Sequence, residues 1–316
     1  MLTIMKSRLP FRTCILAVLL VVSLLGCSRT SVPTPQSLSD IATLTAGCDS
    51  GNYVNCFSLG TRFVSGEGVD KDNVRAIALF QRACEGGNAQ GCGGLGYMYE
   101  TGSGVAQDTS RAVTLYRRAC DAGDGLGCAF LGGMYESGKR ISRDEATAVT
   151  FYQRGCDRGN AMGCGELGRM YFYGNSVAKD EAHAVALLQR ACNGGYPRAC
   201  SILGTTFDEL SRGVSKDQAH ATELYQRACD GGYAMGCSFL AQSYFAGSGV
   251  ARNLAHATEL YQRACDGGEG GACASLALCY QTGLGVAKDA TRARALYEKA
   301  CGLGDRKACD EATRLH

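Results

Sequence analysis

The feature that most constrains this chain is a pair of cysteines eight residues apart, repeated eight times. The pairs fall at 48/56, 84/92, 120/128, 156/164, 192/200, 229/237, 265/273 and 301/309. First cysteines follow one another at 36 residues, with one step of 37 between Cys192 and Cys229. A fixed period of roughly 20 to 50 residues marks a solenoid built from one supersecondary unit. It overrides the two-domain organisation that 316 residues alone would suggest.

Within a unit the apolar positions are helical. Asp108 is followed by Ala112, Leu115, Tyr116, Ala119 and Cys120, at offsets of 4, 7, 8, 11 and 12, all on one helix face. Asp108 itself is placed as an N-cap, accepting backbone N–H groups that the first turn leaves unpaired. The same slot holds Asp72, Asp144, Asp180, Asp217, Asn253 and Asp289. Three residues past every first cysteine stands a glycine, from Gly51 and Gly87 to Gly268 and Gly304. A helix that ends in the left-handed conformation favours glycine there, because it has no Cβ to clash. A second helix then starts near the second cysteine, with Cys92, Leu95, Gly96 and Tyr99 at offsets 0, 3, 4 and 7. An aromatic fills the last of these slots as Phe63, Tyr99, Tyr135, Tyr171, Phe207, Tyr244 and Tyr280, and Gly96, Gly132 and Gly168 allow helix axes to approach closely. The expected fold is all-α: about eight helical hairpins, joined by loops such as 101–108 and 282–289.

The run A-x-x-L-Y-x-x-A-C-D-x-G followed by G-C-x-x-L-G-x-M-Y-x-x-G-x-G-V-x-x-D resembles the Sel-1-like repeat. With a cysteine pair in each unit, residues 41–316 are similar to the Helicobacter cysteine-rich protein family. That resemblance implies a right-handed, TPR-like superhelix of stacked α/α hairpins. It also implies an adaptor role in protein complexes, or, as the alternative, penicillin binding or weak β-lactamase-type hydrolysis.

The N-terminus reads as an export signal. Lys6, Arg8 and Arg12 precede the apolar run 14–26, and no acidic residue appears before Asp40. The run is shorter than the ~20 apolar residues that a membrane span needs. It ends in Leu24-Leu25-Gly26-Cys27, which resembles a bacterial lipobox. Residues 1–26 are therefore expected to be a lipoprotein signal peptide, Cys27 the lipidated residue, and 27–40 a flexible tether to the solenoid at 41–316. Ser28 points to the outer membrane, where an aspartate would favour retention in the inner one. Without residues 1–26 the formal charge moves from +2 to −1, which gives no footprint for nucleic acid.

Paired cysteines also serve metals and redox catalysis, but the chain contains no C-x-x-C of either kind. In one continuous helix, residues eight apart lie about 12 Å from each other, beyond disulfide reach. The glycine turn folds the second helix back, so an exported chain is expected to bridge Cys48–Cys56, Cys84–Cys92, Cys120–Cys128, Cys156–Cys164, Cys192–Cys200, Cys229–Cys237, Cys265–Cys273 and Cys301–Cys309. Cys279 is left over as a half-buried free thiol in the slot held elsewhere by Met98, Met134 and Met170.

Other candidate sites have ordinary structural readings. His183, His220 and His256 follow a capping residue by three, at a spacing of roughly 8 to 10 Å between units that is too wide for a shared metal. Arg82, Arg118, Arg154, Arg190, Arg227, Arg263 and Lys299 form a basic column near helix C-termini, where the macrodipole favours cations. The column would also suit an extended acidic ligand. One S-x-x-K occurs, Ser176 to Lys179, in a register where Ser176 replaces the turn glycine of other loops. S-D-N and K-T-G are missing, so no catalytic residue is assigned. No metal or other cofactor is expected. Irregular loops at 137–143, with Arg140 in place of a glycine, and at 208–213 are further contact candidates. The expectation for function is an exported, lipid-anchored envelope scaffold that touches the membrane only through its anchor. Its solenoid surface would bind a protein, a peptide or a peptidoglycan-type ligand.

Overall fold

A computed structural model describes residues 35–138, 141–208 and 217–315, with side chains from residue 40 onward. The expected signal peptide and Cys27 lie outside the described residues. So do Arg140 and residues 209–216, which include most of the second irregular loop.

The described residues form sixteen α-helices and no strand: α1 (Pro35–Asp49), α2 (Tyr53–Ser65), α3 (Asn73–Glu85), α4 (Ala89–Thr101), α5 (Thr109–Asp121), α6 (Gly125–Ser137), α7 (Glu145–Asp157), α8 (Ala161–Tyr173), α9 (Glu181–Asn193), α10 (Pro197–Asp208), α11 (Gln218–Asp230), α12 (Ala234–Ala246), α13 (Leu254–Asp266), α14 (Gly270–Thr282), α15 (Ala290–Gly302) and α16 (Arg306–Arg314). Helix α1 opens at Pro35, inside the span expected to be tether.

Local chemistry sets the boundaries. Asp72, Asp108, Asp144, Asp180, Asp217, Asn253 and Asp289 each accept the backbone N–H three residues on, at 2.9–3.0 Å. After each first cysteine the chain turns at a glycine with φ between +81° and +100°. A Cβ built on any of these eight glycines meets nothing within 4 Å, so it is the backbone conformation that selects glycine. Asn52, Asn88, Asp124 and Asn160 then cap the following helix.

The turn brings the cysteines together as expected. Eight disulfides join residues eight apart, with Cα–Cα distances of 4.4–4.8 Å. Across the longer loops the contact is apolar. A ring of the following helix sits on a glycine of the preceding one, so that a Cβ at Gly60, Gly132 or Gly204 would come within 2.5–2.8 Å of Phe80, Tyr152 or Tyr225. The hydroxyls that this burial strands find acceptors: Tyr116 donates to Glu100 at 2.6 Å and Tyr152 to Glu136 at 2.7 Å.

Each helix packs on its successor, and the even-numbered ones also approach one another closely from unit to unit. Contacts link α2 to α4, α4 to α6, α6 to α8, α8 to α10 and α10 to α12. Closer approach of one helix set bends the stack toward it, so the helices that begin with the second cysteine line the inside of the curve.

Candidate interaction surface

The basic column is committed within the solenoid. Arg118, Arg190, Arg227 and Arg263 donate to the carbonyl oxygens of Cys84, Cys156, Cys192 and Cys229, at 2.8, 2.7, 3.0 and 3.3 Å. Arg82, Arg154 and Lys299 pair with Asp49, Asp121 and Asp266 at 3.2, 2.8 and 3.1 Å. Every acceptor belongs to the helix end of the preceding unit. The column therefore clamps unit to unit, each cation meeting the carbonyl end of its neighbour's dipole.

The histidines pack edge-on against aromatics: His183 on Tyr171 at 4.7 Å, His220 on Phe207 and His256 on Tyr244 at 4.6 Å. In other units Arg111 and Arg292 lie over Tyr99 and Tyr280, at 5.2 and 5.4 Å, so the slot closes the aromatic end of the preceding helix. Ser176 has φ +57°, the single positive value at a non-glycine residue among those described, which fits its place in a glycine turn. Its hydroxyl donates to Glu145 at 2.5 Å, while Lys179 pairs with Glu181 at 2.7 Å. Bonding from Ser176, then Arg143, holds the Glu145 carboxyl below its ordinary range. Ser176 and Lys179 thus make no nucleophile–base pair. Cys279 is free but only 2% exposed, so it is fully buried rather than half-buried, because Leu276 and, from the facing helix, Leu260 and Tyr261 pack in the same cluster.

Two features of the inner face escaped the sequence reading. The first is a hollow of about 550 Å³ walled by α2, α4 and α6, with Phe57, Phe80, Tyr97, Leu126 and Phe130 among its lining residues. Tyr97 and Leu126 remain 44% and 42% exposed, and the Tyr97 ring lies 6.3 Å from that of Phe130. The second is an ionic cluster across α6, α8 and the start of α10. Arg169 bonds both Glu136 and Glu166, while Arg198 and the Tyr196 hydroxyl bond Glu166 at 2.8 and 2.6 Å. The Glu166 side chain is 4% exposed and that of Arg169 10%. Burial opposes the Arg169 charge, but the bonds and charges of Glu166 and Glu136 outweigh it and raise its pKa. One signal for both features was available: Tyr97 and Arg169 share a register position with Gly133 and Thr205, and Glu166 shares one with Gly94 and Phe130.

These elements define a disulfide-braced α/α solenoid with a curved inner surface. The Sel1 repeat profile matches residues 56–88, 89–124, 125–160, 161–196, 197–233, 234–269 and 271–305, and the chain belongs to the Sel1 repeat family. In that register the repeats from residue 89 onward begin shortly after the glycine turn, so disulfides such as Cys84–Cys92 join successive repeats. The fold is similar to a Sel1 repeat protein from Oxalobacter formigenes (TM-score 0.64, 24% identity, covering 83% of this chain and 96% of that one). It is also similar to a protective antigen of uropathogenic Escherichia coli strains displaying an SLR fold (TM-score 0.55, 26% identity, 86% of this chain and 66% of that one). Helicobacter pylori cysteine rich protein B is 33% identical over 42% of this chain and 96% of its own, with a TM-score of 0.35. No match is found among curated protein sequences. Sel1 repeat solenoids typically mediate protein–protein interaction. Eight disulfides suit an oxidising, extracytoplasmic compartment, and among the described residues no helix is long and apolar enough to cross a membrane.

Proposed function

We propose that the protein is an envelope scaffold, tethered by lipid on Cys27, that binds a partner protein along its inner face. The observation that carries this reading is the apolar hollow of α2, α4 and α6, which leaves Tyr97 and Leu126 in solvent. The rings that recur at one position of the repeat are buried, as with Phe80, Tyr116, Tyr152, Tyr225, Tyr261 and Tyr297. A photo-crosslinking amino acid at Tyr97 should capture one discrete protein in intact cells, and the same probe at Thr114 on the outer helix set should not. Equal capture at both positions refutes the inner-face reading. Retention of the label by isolated cell-wall sacculi, with no protein adduct, would make the ligand a peptidoglycan instead. Cys27→Ser should release the protein from the membrane fraction, and persistence there removes the anchor.

The hydrolase alternative requires a nucleophile other than Ser176, whose hydroxyl is engaged by Glu145. Turnover of a chromogenic cephalosporin that survives Ser176→Ala would establish such a site and displace the scaffold reading.

A further inference from the structure

The hollow on the inner face is made by a local departure from the repeat. Helix α4 carries glycines at 91, 93, 94 and 96, each costing ~1 kcal/mol of helix propensity relative to alanine. Two of them are imposed by packing: a Cβ at Gly91 would lie 2.5 Å from that of Ala83, and one at Gly96 3.0 Å from the Tyr116 ring. Gly93 and Gly94 face the hollow. A Cβ at Gly93 would meet the Asp124 carboxylate at 3.0 Å, and one at Gly94 would touch the Phe80 ring at 3.2 Å. No other unit has glycine at both matching positions: they read Phe57-Ser58, Ala129-Phe130, Gly165-Glu166, Ser201-Ile202, Ser238-Phe239 and Ala274-Ser275. The glycine pair therefore strips two side chains from the inner face and opens a recess between aromatic walls. At about 550 Å³ it falls within the size range of ligand sites.

A second departure supplies charge at the rim. Two residues past the first cysteine, the units carry Ser50, Gly86, Ala122, Gly194, Gly231, Gly267 and Leu303, and only here is the residue charged, as Arg158. The position opposite is correspondingly small. Tyr53, Ala161, Pro197 and Ala234 face the glycines, whereas Gly125 faces Arg158, and a Cβ there would come 3.2 Å from that of Arg158. The guanidinium uses this room to lie over the Cys120–Cys128 bridge, with Nη1 2.7 Å from the Cys128 sulfur. Among the described residues no carboxylate stands within ion-pair distance of it, unlike the basic column, in which each cation has an acceptor. The one acid of the hollow, Asp124, is committed to the backbone N–H groups of Leu126 and Gly127.

We propose that this recess seats a bulky apolar side chain of an extended partner segment while Arg158 pairs with a carboxylate on the same segment. The proposal rests on the protein-binding reading and specifies its chemistry. The apolar side chain fills the space over Gly93 and Gly94 between Phe80, Tyr97 and Phe130. A carboxylate one to four residues along the segment completes the unpaired guanidinium by charge-assisted hydrogen bonds.

The test uses the purified, oxidised full-length protein and an array of peptides. Each peptide has one phenylalanine followed, at one to four residues, by glutamate, or by glutamine in the isosteric control set. At one spacing the glutamate set should bind about tenfold more tightly than the glutamine set. Arg158→Gln should abolish that preference while binding still requires phenylalanine, and Tyr97→Ser should weaken both sets equally. Both positions are exposed, so an unchanged disulfide map and helical signal establish that the variants fold. Equal binding of the two sets, a preference that survives Arg158→Gln, or no binding to any peptide overturns the proposal. In those cases a photo-crosslinker at Leu278, far along the inner face, separates the two readings. A protein adduct there keeps the scaffold and discards this recess, and its absence at both Leu278 and Tyr97 discards both.

Discussion

Arg190 donates from Nη2 to the carbonyl oxygen of Cys156, 2.7 Å away at the end of the preceding unit's helix. The Cys156 carbonyl already accepts the Gly159 N–H at 2.8 Å, so Arg190 adds a second donor at the helix end, across the junction between units. Arg190→Ala should therefore destabilise the solenoid by about 1.5 kcal/mol, the lower end of the range for a hydrogen bond to a charged group, because Arg190 is exposed. Arg190→Lys should recover part of this, because it keeps the charge but not the planar fork. Denaturant melts of the three proteins decide the matter, and an unchanged midpoint for Arg190→Ala would show the clamp to be energetically idle.

The disulfides act on a different state. Each closes a short loop, which the chain-entropy model values at about 2.5 kcal/mol through loss of freedom in the unfolded chain. Replacing Cys120 and Cys128 together by alanine should cost about that amount. Non-reducing peptide mapping should return eight bridges, each between cysteines eight apart. A bridge between different units would overturn the connectivity.

Caps, turns and bridges were legible in the sequence because their partners lie within ten residues. Asp108 caps a helix through Arg111, and Cys120 meets Cys128 across Gly123. The basic column was only half legible. Its residues were plain, but they were referred to the dipole of their own helices, whereas Arg154 pairs with Asp121 one unit earlier. The signal lay in the acid that follows most first cysteines, Asp49, Asp121 and Asp266 among them. The inner face was missed for a further reason. Tyr97, Arg158, Glu166 and Arg169 stand out by departing from the repeat, and a reading that gathers what recurs passes over them. Which departures meet also depends on curvature, since Glu136, Arg169 and Glu166 come from two helices that touch only because the stack bends.

That cluster carries its own consequence. Removing Arg169 leaves Glu136 and Glu166 partnered unequally, with the Glu166 side chain almost wholly out of water. Arg169→Met should cost about 3–5 kcal/mol, as breaking buried pairs generally does. Replacing all three residues by apolar ones of similar volume should cost much less. Thermal melts of the single and triple variants compare the two, and equal losses would show that packing, and not the stranded charge, sets the penalty.

Buried acids give the solenoid an alkaline limit. Burial pushes the Cys279 thiol above its ordinary value of 9.0 and Tyr261 up to about 12, the latter aided by the nearby thiol. Burial, then the hydrogen bonds to Glu100 and Glu136, raises Tyr116 and Tyr152 further still. Above the ordinary values the unfolded chain releases protons that the folded one retains, so it binds fewer of them and stability falls as pH rises. The contribution is complete below pH 9 and declines from there through the ordinary tyrosine value of 10.0 and beyond. Tyrosinate absorbance should accordingly show a late stage in which the buried rings ionise together with loss of helical signal. Iodoacetamide at pH 8 should label Cys279 only once denaturant is present. Ionisation of every tyrosine in one smooth step, with the helices intact, would mean that these hydroxyls are not held as described.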